Sequence, residues 1–221
     1  MTGESLPQDC KDFLENGQIN SGVFEIYPYG TVSSPVKVYC DMETMDGGWT
    51  VIQKRVDGSQ SFNKNWAEYK NGFGSPEQDV WIGNDVINQL TKENDSSLYV
   101  TITLENGETK YELYDQFSVS DEAEKYKLFL AGNATGTLGD RMRNPGDPPL
   151  HLPGMYFSTP DRDNDHDAGS CAAGLKGGWW FNRCHQAFLN GLWASDDWAF
   201  PWYPIDKGTP IRKTVMMVKR R

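Results

Sequence analysis

The chain lacks the short motifs from which enzymes are usually recognised. Its 221 residues contain no Walker loop, no dinucleotide fingerprint, no His-Glu-x-x-His and no Gly-x-Ser-x-Gly, and only three His. A hydrolytic triad needs a nucleophile, a base and an orienting group, and no such set emerges. Paired carboxylates leave no strict spacing, so a glycosidase among the 31 acidic residues is the one enzyme alternative. Positive charge is also scarce. With 21 Lys and Arg against 31 Asp and Glu the formal charge is −10, which repels phosphate backbones and anionic membrane surfaces. Nucleic acid is therefore not an expected partner. The one cationic cluster, Lys219-Arg220-Arg221, reads as a solvated tail. No apolar run approaches the roughly 18 residues of a membrane span, so no membrane insertion is expected. No signal peptide is visible either, since the chain is polar from Met1 to Ser5. That start alone reads as cytosolic, but a processed chain looks the same.

Cysteine is sparse and its spacing informative. Cys10, Cys40, Cys171 and Cys184 contain no Cys-x-x-Cys step, which argues against structural zinc. Four cysteines permit three connectivities, and four buried free thiols are the competing reading. The nearest-neighbour bridges Cys10–Cys40 and Cys171–Cys184 are favoured because each encloses a Gly- and polar-rich loop. Each closure would contribute about 3 kcal/mol through the unfolded state. Two sequons, at Asn94 and Asn133, are compatible with secretion.

Aromatic residues, by contrast, are plentiful: eight Trp and ten Tyr in a chain of negative mean hydropathy. Rigid amphipathic side chains in that number can furnish a binding surface as well as a core. Val23–Pro28 and Val36–Cys40 alternate apolar and polar residues, as half-buried strands do, and read as a hairpin clipped by Cys10. A strand opens at Gly47-Gly48-Trp49, a short helix is expected over Trp66–Tyr69, and another begins with Asn84 as its cap. Strands follow over Leu98–Leu104, Lys110–Asp115 and Tyr126–Leu130, the first two joined by an Asn106-Gly107 turn. From about 133 to 210 periodicity disappears, which is rare unless the stretch binds something. Val215–Val218 reads as a strand closing the sheet. The pattern is α+β.

Two constellations stand out in the irregular stretch. Asp161-Arg162-Asp163-Asn164-Asp165-His166-Asp167-Ala168-Gly169 places acids at alternate positions, and their crowded oxygens suit Ca²⁺. It is not an EF-hand: His166 stands where the sixth-position Gly belongs and Ala172 where the twelfth-position Glu belongs. A solvated acidic loop is the bland alternative. Downstream, Gly177-Gly178-Trp179-Trp180-Phe181-Asn182-Arg183-Cys184-His185 builds an aromatic wall beside a cysteine. Trp179 and Trp180 read as core, and His185 as a ligand contact or a packed core residue. Of Trp193, Trp198 and Trp202, at least one is expected at the surface.

These residues together resemble the fibrinogen C-terminal domain family. The likeness runs in order from Asp9-Cys10 through Ser21-Gly22-Val23-Phe24-Glu25-Ile26, Tyr39-Cys40-Asp41-Met42-Glu43-Thr44 and Gly47-Gly48-Trp49-Thr50-Val51-Ile52-Gln53. It continues through Phe157-Ser158-Thr159-Pro160-Asp161, Cys171-Ala172 and Trp179-Trp180 to Gly191. The resemblance implies one domain over 9–221, with parts at about 9–46, 47–132 plus strand 213–219, and 133–212. It also implies both disulfides, an extracellular setting and no enzymatic activity. It puts Ca²⁺ on the side chains of Asp163 and Asp165 and the carbonyls of Asp167 and Gly169. As in ficolins and tachylectin-like lectins, a pocket for acetyl groups, such as those of N-acetylated sugars, would involve Arg183, Cys184 and His185, with Trp198-Ala199 opposite. Leu175 stands where some acetyl-binding members carry an aromatic, which weakens one wall. An innate-recognition lectin, used in several copies as a homo-oligomer, is the first reading. A protein-binding module of the angiopoietin, tenascin or fibrinogen type is the second. His185 and the count of four cysteines favour the lectin. The Pro-rich segment 144–154 departs from the family and is left without a role.

Overall fold

The computed structural model describes residues 6–93, 95–193, 201–203 and 210–221. Asp9 accepts a hydrogen bond from the Asp12 amide and so caps helix α1 (Cys10–Glu15). Strands β1 (Gly22–Ile26) and β2 (Val36–Asp41) pair antiparallel, from Gly22 opposite Cys40 to Ile26 opposite Val36. Alternation buries Val38 and Cys40 while Lys37 stays exposed and Tyr39 is half-buried. Cys40 is bonded to Cys10, with Cα atoms 5.4 Å apart, so the bridge ties α1 to β2.

This hairpin forms one edge of a nine-stranded sheet. β2 pairs with β3 (Trp49–Arg55), and the order along the sheet is β1-β2-β3-β9-β6-β7-β8, with the short β4 (Phe73–Gly74) and β5 (Val80–Trp81) attached to β3. The last strand, β9 (Ile211–Arg220), lies between β3 and β6 (Ser96–Leu104). The basic chain end is therefore not a solvated tail. Lys219 donates to the carbonyls of Met45 and Gly47, Arg220 lies 2.6 Å from Asp12, and Arg221 pairs with Asp95 at 3.0 Å. A strand inserted in mid-sheet ends among its neighbours' loops, and the acids there neutralise it.

β6 turns into β7 (Thr109–Val119) through Asn106-Gly107, where Gly107 takes a φ of +86° and donates to Leu104. That left-handed conformation costs a glycine nothing. β8 (Leu128–Gly136) begins later than the alternation predicts. Lys125 and Tyr126 have φ values of +54° and +51°, closing a turn in which the Tyr126 amide donates to Asp121. The Tyr126 ring packs against Trp66 at 5.4 Å.

Helix α2 (Trp66–Asn71) starts in a capping box in which Asn65 and Glu68 bond each other's amides. In α3 (Asn84–Thr91) the expected cap fails. Gly83 precedes the helix, and Asn84 turns its Oδ1 to the Trp81 indole N–H at 3.1 Å. The same indole N–H also reaches the Tyr69 carbonyl at 3.2 Å, so Asn84 is drawn into a buried hydrogen-bond cluster and the helix starts without a side-chain cap. The main core, between the sheet and these helices, holds Tyr69, Trp81, Phe157, Trp179 and Trp180. Trp49, Val51, Tyr99 and Met217 form a smaller cluster of their own.

Among the described residues beyond Gly136 regular structure is scarce until β9: a 3₁₀ turn at Pro148–Leu150 and helix α4 (Cys171–Leu175). Polar side chains from the sheet hold this stretch. Gln53 donates to the Leu189 carbonyl at 2.8 Å and Arg55 to that of Gly191 at 2.7 Å. Arg55 and Asp79 form a fully buried ion pair, and Asp79 also accepts the amides of Val56 and Asp57. Burial lowers the Arg55 pKa, while the Asp79 charge works against that shift.

Candidate calcium loop and ligand pocket

The acidic loop is built from carboxylates that turn the chain back on itself. Asp161 accepts from the first amide of α2 at 2.9 Å and from the Thr159 hydroxyl at 2.7 Å, which pins the loop to the core. Beyond it, Asp163 accepts from the Asp165 amide at 3.1 Å, Asp165 from the Asp167 amide at 2.9 Å, and Asp167 from the Gly169 amide at 3.3 Å. Serial turns of this kind bring alternate acids close together. The second oxygen of Asp165 accepts the Cys171 amide at 2.9 Å, linking the loop to the start of α4. Burial raises the Asp165 pKa, the amides oppose that shift, and the neighbouring Asp163 charge adds to it. A donor set of carboxylates, with backbone carbonyls between them, fits a hard cation of Ca²⁺ size better than zinc or copper. Asp167 also lies near the sulfurs of Cys171 and Cys184, with ligand atoms within 4.8 Å of one another, but both sulfurs are spent in a disulfide.

The second bridge, Cys171–Cys184, joins α4 to the turn at Asn182–His185. Within that turn Arg183 is exposed, while Cys184 is half-buried with a φ of +30°, a strained value for a residue with a side chain. His185 stacks on Phe188 with centroids 5.4 Å apart and lies 6.3 Å from Phe181. Its Nδ1 is enclosed with no hydrogen-bond partner, although part of the ring reaches the surface. Burial lowers its pKa from 6.5 to about 4. The ring is therefore neutral at physiological pH, and the ordinary imidazole titration near 6.5 does not apply to it. Leu175, at the end of α4, is half-buried against the main core. Trp198 and Ala199, the expected opposite wall, lie outside the described residues. Trp202 is fully buried and Trp193 is 37% exposed, so of the two described residues Trp193 is the one at the surface.

Loop and turn are joined by a residue to which the sequence reading assigned no role. The backbone carbonyl of buried Asn182 accepts the His166 amide at 3.0 Å, and its Oδ1 faces His166 Nδ1 at 3.2 Å. Its Nδ2 donates to the carbonyl of His151 at 2.9 Å. With the amide nitrogen so committed, His166 must carry its proton on Nδ1. The Arg183 amide donates to Pro149 at 3.2 Å, so the unassigned segment 144–154 is the floor on which the turn rests. A sequence signal existed: an Asn inside the run Trp179-Trp180-Phe181 has to find partners if it is buried. Which partners it finds depends on two segments distant in sequence.

The larger cavities described lie elsewhere. One of about 530 Å³ is lined by Asp9, Tyr29, Gln89 and Arg220, and one of about 610 Å³ by Asn88, Lys127, Phe129 and Pro153.

A disulfide-stapled α+β domain carrying a carboxylate loop against an aromatic turn defines a class of binding module. The family described as fibrinogen beta and gamma chains, C-terminal globular domain, matches residues 6–218, and the chain belongs to it. Its members are binding and recognition domains and not enzymes. Human fibroleukin is 43% identical over 83% of this chain and 41% of its own length. Ryncolin-4 of Cerberus rynchops is 41% identical over 84% of this chain and 51% of its own. The chain thus spans about half or less of the curated relatives it matches. The fibrinogen-like globe domain of human ANGPTL6 superposes with a TM-score of 0.87 at 34% identity, covering 97% of this chain and 96% of that one. Lamprey fibrin D-dimer, solved with the peptide Gly-His-Arg-Pro-amide, gives 0.87 at 32% identity over 98% of this chain and 74% of that one.

Proposed function

We propose that this chain is a secreted, calcium-binding recognition domain whose ligands are acetylated groups, with N-acetylated sugars as the leading class. The observation that carries the reading is the pair of contacts between His166 and Asn182, which couples the acidic loop to the turn bearing Arg183, Cys184 and His185. Ca²⁺ held by Asp163 and Asp165, with the carbonyls of Asp167 and Gly169, would act through that link and not by touching the ligand. The acetyl methyl would pack near His185 and its aromatic neighbours, and its carbonyl would accept from backbone amides near Cys184. One sugar makes few contacts, so intrinsic affinity is expected near millimolar, about −4 kcal/mol. Several linked copies would raise it through effective concentration. The test compares N-acetylglucosamine with glucosamine, in Ca²⁺ and in EDTA, on wild type and on His185→Ala. Equal binding of the two sugars, or an unaffected variant, would sink the acetyl pocket.

A second reading, a protein-binding module, is favoured by the likeness to lamprey fibrin in complex with a peptide. It predicts that a glycan array stays blank while an extended peptide binds the wild type and loses affinity for Asn182→Ala.

A further inference from the structure

We propose that Asn133 carries an N-linked glycan and that this glycan caps the open edge of the sheet. The inference rests on the secreted reading above. Asn133-Ala134-Thr135 is an acceptor sequon with both Asn133 and Thr135 exposed, whereas the sequon at Asn94 begins outside the described residues. Its position matters more than its exposure, because it lies on β8, the terminal strand of the sheet among the described residues. An edge strand offers unpaired backbone groups to any other strand, and proteins blunt such edges with bulges, charges or covering segments. The beginning of β8 is covered: Leu128 exchanges hydrogen bonds with Gly154 and Met155. Further on, the Arg143 guanidinium donates to the Gly132 carbonyl.

Between these points and Gly136 the strand carries a bulge. Ala131 lies opposite Gln116 and Ala134 opposite Tyr114, so Gly132 and Asn133 together face Asp115 alone. Gly132 takes a φ of +74°, and a Cβ there would come within 2.7 Å of the Asp115 Cβ. The Asn133 amide turns inward to the Asp115 carboxylate at 2.9 Å, while the Asn133 side chain stays exposed. Phe129 on the same strand is 45% exposed, about 13 Å away at strand rise. The bulge and the Arg143 contact blunt only part of this edge. On the rest of it, beside the exposed Phe129, a second copy could add a strand, and a bulky solubilising glycan at Asn133 stands in its path.

The chain, secreted from animal cells, is analysed by mass spectrometry of the Asn133 peptide before and after peptide N-glycosidase. A glycan there, and its loss in Asn133→Gln, is expected. Both Asn133→Gln and the folded wild type after enzymatic deglycosylation should then shift from monomer to a concentration-dependent dimer or larger species on gel filtration. Adding Phe129→Thr should reverse the shift. Secretion with both disulfides but a bare Asn133 overturns this proposal and leaves the secreted reading standing. Retention in the cell with free thiols overturns both. A glycan whose removal leaves a monomer at every concentration overturns the capping role.

Discussion

The sheet and the irregular segment beyond Gly136 solve the same problem by different means. In the sheet, side chains follow period two: β6 sends Leu98, Val100, Ile102 and Leu104 into the main core. On its other face Tyr99 joins the smaller cluster and Thr101 and Thr103 are half-buried, and the ladder pairs nearly every residue. No single contact is indispensable there, because each methylene contributes a little and many contribute together. In the described segment from 137 to 193 a few particular groups carry the structure: the Cys171–Cys184 bridge, the Trp180 indole on the Tyr126 carbonyl, the Asn182 amide, and Arg55 with Asp79 beneath. Distributed burial makes a region tolerant and rigid. Concentrated polar contacts make a region whose arrangement can respond to an ion or a ligand.

That contrast can be broken most severely at the junction. Asp79→Ala removes the carboxylate that neutralises the buried Arg55 and accepts the amides of Val56 and Asp57, and should cost about 3–5 kcal/mol in urea unfolding. A conservative change inside the sheet, such as Ile102→Val, should cost about 0.5–1.5 kcal/mol in the same assay. If the two are equal, the distinction between concentrated and distributed stability fails.

Ca²⁺ sharpens it next. A ligand that binds only the folded state adds about 2.7 kcal/mol at one hundred times its dissociation constant. Melting midpoints in millimolar Ca²⁺ and in EDTA should differ, and Asp163→Ala should erase the difference. Hydrogen exchange should report the protection in residues 161–185 and leave β6 and β9 unchanged. Identical midpoints would remove the ion from the proposed mechanism.

Asn182→Ala should cost about 1–3 kcal/mol, since it strips the His151 carbonyl of its donor and His166 of its acceptor. The informative readout is selective: the calcium-dependent melting shift should survive while the calcium dependence of ligand binding is lost. Persistence of that dependence would show that the loop reaches the turn by another route.

The smallest effect concerns pH. Burial holds His185 at a pKa of about 4 against 6.5 when unfolded, so between those values the unfolded chain binds more protons. Stability therefore rises with pH across that window, is fully present above 6.5, and is lost as pH falls toward 4. The slope is at most about 1.4 kcal/mol per pH unit, reduced by the ring's partial exposure. His185→Phe should flatten it. Because the ring stays neutral, ligand binding should hold at pH 5.5, contrary to what an ordinary histidine would give. A loss of binding with a midpoint near 6.5 would contradict the burial.

Much of the sheet was legible in the residues. Alternation in Val36–Cys40 and Leu98–Leu104, the Asn106-Gly107 turn and the apolar run at Val215–Val218 each marked an element that formed. Alternation is a local property, and a strand with one buried face shows it in whatever sheet it joins. The acids of the 161–169 loop and the two cysteine pairs were legible for the same reason: the groups that act together are close in sequence or few in number.

Position and protonation were not legible. Nothing local tells Lys219-Arg220-Arg221 that its strand is inserted in mid-sheet, or Asn84 that its oxygen will meet the Trp81 indole and not a helix amide. Nor does any run of residues announce that Asn182 joins the loop to the Pro148–His151 floor, or that His185 is sealed enough to resist a proton. Composition and periodicity determined which segments seek burial and which carry charge. Only the folded chain decided which polar group meets which, because a hydrogen bond and a desolvated ring depend on neighbours that tertiary packing brings from tens of residues away.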